Sequence, residues 1–91
     1  MAWFLAKDGD ITQAEINAKA AFTNILKKAK GDFDTRLWLF YDAYIYGETM
    51  MMCGNEEEAK HGYQKCIDAN PFTGLAKQAK EKLRRLLNET N

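Results

Sequence analysis

The chain has 91 residues, 46% of them apolar and 29% charged, with 13 Lys and Arg against 13 Asp and Glu. That length holds one small domain, the composition is neither that of a disordered chain nor of a membrane protein, and zero net charge excludes a strongly basic nucleic-acid binder as a reading of the whole chain. Val and Ser are absent and Pro occurs once, so helix formers dominate and an all-α fold is expected.

The opening, Met1 to Asp8, lacks a basic n-region and a long apolar run, so no secretory signal is expected there. It reads as the end of a helix broken at Gly9. Thr12 and Glu15 then read as a capping box. Ala14, Ala18, Ala21, Phe22, Ile25 and Ala29 follow on one stripe of a helix that Gly31 ends. A second helix is expected from about Asp34-Thr35 to Cys53, stopped by Gly54. Asn55 reads as the N-cap of a third, with Glu56, Glu57 and Glu58 at the positive end of its dipole. Ala59, Tyr63, Cys66 and Ile67 form its inward stripe, and Asn70-Pro71 closes it. The last helix starts near Thr73, with Leu75, Ala76, Ala79, Leu83, Leu86 and Leu87 on one side and Lys77, Lys80, Glu81, Arg84 and Arg85 on the other. Loops this short make successive helices antiparallel neighbours.

Charge is uneven along the chain. Residues 46–69 carry two basic and five acidic side chains, and residues 70–91 carry five basic and two acidic ones. Two solvated faces explain this. The basic stripe has no interleaved aromatic residue, so nucleic acid is not the expected partner.

Gly9-Asp10 followed by Ala14 is echoed 45 residues later by Gly54-Asn55 followed by Ala59. The second of these units reads Ala43-x2-Tyr46-Gly47-x2-Met50, then Ala59-x3-Tyr63, then Pro71. It resembles a tetratricopeptide repeat, whose period is 34 residues. Gly47 and Ala59 are small where two helices would cross, and Tyr63 fills the space beside them. Ala43 stands where the family has Trp. Ala2, Leu5, Gly9-Asp10 and Ala14 resemble a truncated first copy. The resemblance implies antiparallel hairpins stacked as a short solenoid: residues 1–31 a partial repeat, 32–73 a hairpin and 74–91 a capping helix. It also implies that first helices line the concave, ligand-holding side.

The helix from 35 to 53 is apolar almost all round. At 100° per residue, Ala43, Tyr46, Gly47 and Met50 share one face, while Tyr41, Tyr44, Met51 and Met52 lie nearly opposite, continued by Leu37, Trp38 and Ile45. A helix of this kind is buried all round or faces a partner. Tyr and Trp carry large area with a polar handle, and Met adapts to irregular shapes. The candidate partner-binding residues are therefore Tyr41, Tyr44, Glu48, Met51 and Met52, with Trp38, flanked by Trp3 or Lys7 and by the last helix. Packing of the last helix over this face is the competing reading. A subset of the repeat family holds acidic chaperone tails with a clamp of Lys and Asn. Tyr44 and Glu48 stand there instead, so an apolar helix or extended segment is the expected ligand.

No arrangement for catalysis stands out. His61 lies opposite Ala59 and Cys66 on its helix, the wrong face for a Cys–His pair. Cys53 and Cys66 are separated by roughly 17 Å of helix axis, too far for a disulfide, and together with His61 they lack zinc-ligand spacing. Calcium loops counted from Asp8 and Asp32 reach Lys19 and Ala43 at the twelfth position, where Glu is needed. No phosphate loop occurs. The reading is a cytoplasmic, non-catalytic protein-interaction module without cofactor, metal or membrane span, binding a peptide or helix of another protein. The alternative is a structural module that homodimerises through the same face.

Overall fold

The structure, a computed structural model, describes residues 11–89. All regular structure among them is helical: α1 (Ile11–Ala29), α2 (Phe33–Leu37), α3 (Leu39–Met52), α4 (Glu56–Ala69) and α5 (Gly74–Glu89). The expected first copy of the repeat rests partly on Ala2, Leu5 and Gly9-Asp10, which lie outside the described residues, as do Trp3 and Lys7.

α1 buries Ala14, Ala18, Phe22 and Ala29 and carries Lys27 and Lys28 in its last turn, where cations complement the helix dipole. Ile11 and Thr12 are both helical, so Thr12 lies within the helix rather than capping it. The expected single helix from Thr35 to Cys53 is instead two. The backbone leaves the helical region at Trp38, with φ −100° and ψ 7°. Hydrogen bonding continues across the break, from Trp38 N–H to the Asp34 carbonyl at 3.3 Å and from Tyr41 N–H to the Trp38 carbonyl at 3.1 Å. No Gly or Pro marks this site. The break lets the short α2 lie against α1 while α3 follows α4.

The α3–α4 connection was legible in the sequence. Gly54 adopts φ 78°, the left-handed conformation that glycine takes without steric cost. Asn55 N–H then reaches the Met50 carbonyl at 2.9 Å and Gly54 N–H the Met51 carbonyl at 3.1 Å, which closes α3 in a Schellman motif. Asn55 also opens α4: its side-chain oxygen accepts from Glu58 N–H at 3.1 Å. At the other end of α4, Asn70 is extended before Pro71, and the Thr73 hydroxyl caps α5 by accepting from Ala76 N–H at 3.0 Å.

The core lies mainly between α3 and α4. Ala43, Met50, Ala59, Tyr63 and Cys66 are buried there, joined by Phe22 and Ala18 of α1 and by Ala79 and Leu86 of α5. The crossing point is glycine on glycine. A Cβ on Gly62 would stand 2.7 Å from the Gly47 nitrogen, and one on Gly47 would stand 2.8 Å from the Tyr63 ring. The close approach is therefore set by backbone as well as side chains. Tyr46 ties α3 outward on both sides. Its ring stacks on Phe22 at 4.3 Å between centroids, and its hydroxyl donates to Glu58 at 2.5 Å.

Candidate binding site

The six candidate residues divide between two environments. Tyr44 is only 9% exposed, and its hydroxyl donates to the Gln78 side-chain amide oxygen Oε1 at 3.1 Å. Glu48 is half-buried and accepts from Lys82 of α5 and from the Tyr63 hydroxyl. Lys82 also stands 5.2 Å above the Tyr44 ring, a cation–π contact. Tyr44 and Glu48 thus face α5 rather than solvent. The competing reading of packing by the last helix holds for this part of α3. Met51 sits at the edge of the same junction, in a recess with Tyr63, Arg85 and Leu86.

Burial works to raise the Glu48 carboxyl, but the hydrogen bond and charge of Lys82 outweigh it and hold the group below its ordinary value. Burial likewise disfavours the Lys82 cation, and Glu48 reverses the balance. Tyr63 is pushed well above the ordinary phenol range by burial and by the adjacent Glu48 carboxylate.

Trp38, Tyr41 and Met52 remain outside this junction, at 58%, 49% and 37% exposure, together with Ile45 at 45%. Tyr41, Ile45 and Met52 fall within about 40° of one another around α3 and form a ridge along it. Beside the ridge, between α1 and α3, runs a groove of about 540 Å³. Ala18, Ala21, Phe22 and Ile25 line it from α1, and Tyr41, Asp42, Ile45, Tyr46 and Thr49 from α3. The small Ala18 and Ala21 keep the α1 wall low. The Thr49 hydroxyl donates to the Ile45 carbonyl at 2.9 Å, which satisfies it within its own helix.

The contribution of α1 to this groove was not read from the sequence. Its Ala-rich stripe both contacts α3 and leaves one edge open to the groove. Asp42 is one of few polar residues on this apolar helix, and no motif in the sequence marks it. Among the described residues it has no ion-pair or side-chain hydrogen-bond partner, and burial raises its pKa.

Elsewhere the chemistry is quiet. Cys53 and Cys66 are free and buried, and burial pushes both thiols up. His61 is exposed. Among the described residues no three His, Cys, Asp or Glu side chains converge on a metal position, and no helix is long and apolar enough to cross a membrane. On α5, Glu81 pairs with Arg84 at 2.5 Å and with Arg85 at 3.9 Å, so part of the basic stripe is already neutralised. The chain matches no protein-family model, no curated protein and no solved structure.

Proposed function

We propose that this chain is a non-catalytic interaction module of the tetratricopeptide-like kind, and that it holds a peptide or helix of another protein on the ridge and groove of α3. The ridge of Tyr41, Ile45 and Met52 beside an open apolar groove carries this reading. Large apolar side chains gathered on one exposed face mark an interaction surface. Each that becomes buried contributes roughly 1.5–3 kcal/mol before ordering costs.

The repeat arrangement draws support from register. Tyr44 pairs with Gln78 and Glu48 with Lys82, each 34 residues apart. A constant offset means that α3 and α5 run parallel, displaced by one repeat length of the family. On that reading α3 is a first helix, α4 its second, and α5 the capping helix in the position of the next first helix. Residues 1–31, 32–73 and 74–91 are then the partial repeat, the hairpin and the cap. Two unpaired, buried thiols suit a reducing compartment such as the cytoplasm.

Homodimerisation is the second reading, favoured by one feature: Phe33 and Leu37 of α2 and the adjoining Trp38 stand exposed. A projection and a recess on one chain are what a two-fold self-contact uses. Light scattering on the eluting protein separates the two. A monomer whose co-purifying proteins are lost on Ile45→Glu, and kept on Lys77→Glu, supports partner binding. A dimer that persists on dilution and dissociates on Ile45→Glu supports self-association. A monomer that captures the same proteins with and without Ile45→Glu removes both.

A further inference from the structure

Resting on the reading of the α1–α3 groove as the binding site, we propose that its occupant is an amphipathic helix of another protein that sets a lysine or arginine against Asp42, beside the apolar side chains it buries.

The groove is apolar along Ala18, Ala21, Phe22, Ile25 and Ile45, and among the described residues Asp42 is the one acidic side chain in its lining. Asp42 lies in the first turn of α3, where the helix dipole favours a negative charge. It is half-buried, and among the described residues no cation pairs with it. While the groove is open to water this arrangement costs little. A segment that covered it with apolar side chains alone would strip the carboxylate of solvent, and an unpaired buried charge is strongly unfavourable. A covering segment that keeps Asp42 ionised therefore brings a cation to that position. A helix fits better than a strand because neither groove wall offers a free backbone edge. The α1 wall, from Asn17 to Ile25, is about 12 Å long, roughly two helical turns. The low wall at Ala18 and Ala21 admits close approach of a helix bearing anchors at i, i+3 and i+4.

A displayed library of random helical peptides, selected on the full chain, tests this. Five baits are used: wild type, Asp42→Asn, Asp42→Lys, Ile45→Glu and Trp3→Glu. Wild type is expected to enrich peptides that combine large apolar residues with Lys or Arg, and these bind Asp42→Asn about five-fold more weakly, a difference that shrinks with salt. Asp42→Lys is expected to enrich Asp or Glu at the same position. If wild type and Asp42→Asn enrich the same sequences without basic bias, the cation inference falls while the groove stands. If wild type enriches nothing that Ile45→Glu does not, the groove reading falls with it. Two further results overturn the proposal by naming another occupant. One is a dimer that Ile45→Glu dissociates. The other is enrichment seen only when the chain's own Trp3 is replaced by Glu.

Discussion

Glu48 and Lys82 form an ion pair that joins α3 to α5 across 34 residues of sequence, with Tyr63 donating to the same carboxylate. Both charged side chains remain partly exposed, so the pair is a modest latch rather than a buried one. Its signature is a pH dependence. The native Glu48 carboxyl titrates below its ordinary 4.5. Its stabilising contribution is therefore present above that value and is lost as pH falls through the native one. Lys82 is shifted upward, so its contribution is present at neutral pH and fades only as pH rises past the ordinary 10.5. Urea midpoints measured from about pH 7 down to about pH 3 are expected to fall more steeply for wild type than for Glu48→Gln. Parallel curves would show that the latch contributes nothing.

The glycine crossing predicts a substitution effect opposite to helix propensity. Alanine in place of a mid-helix glycine ordinarily stabilises by up to ~1 kcal/mol. At Gly62 the added methyl would meet the Gly47 backbone, which cannot swing aside as a side chain can. Gly62→Ala is expected to destabilise by roughly 1–3 kcal/mol. Gly31→Ala, where a Cβ meets nothing within 4 Å, serves as the control. Thermal melts by circular dichroism check both.

Asn55 serves two helices at once, and that predicts a larger loss than a surface position should give. Asn55→Ala removes the acceptor for Glu58 N–H but keeps the backbone bond to Met50. The expected cost is about 1 kcal/mol. Gly54→Ala, which must hold φ 78°, is expected to cost roughly 1–2 kcal/mol. Chemical denaturation curves give both values.

Binding and stability are expected to separate on α1 and α3. Phe22→Ala removes the ring stacked on Tyr46 and is expected to cost roughly 3–5 kcal/mol, loosening α1 from the rest. Ile45→Glu alters a side chain already 45% exposed and is expected to change stability by less than about 0.5 kcal/mol while abolishing partner capture. Urea titrations beside the binding assay measure this contrast. A large stability loss for Ile45→Glu would place Ile45 in the core.

The sequence by itself determined the helical class, because it lacks Val and Ser and carries helix formers at helical spacing. It also determined the turns at Gly54-Asn55 and Asn70-Pro71, whose backbone demands are local and fall on residue types that meet them. It singled out α3 as apolar on two flanks. Only the tertiary structure decided which parts of the second flank are covered. Tyr41 and Tyr44 are the same residue type three positions apart, so residue type does not separate them. α5 runs parallel to α3 and reaches Tyr44 and Glu48, and it leaves Tyr41 and Ile45 beside the groove with α1. The break at Trp38 was likewise invisible, since no Gly or Pro stands at the site where α2 turns to lie against α1. Which helix covers which face depends on contacts between distant residues, and periodicity within one helix carries no record of its neighbours.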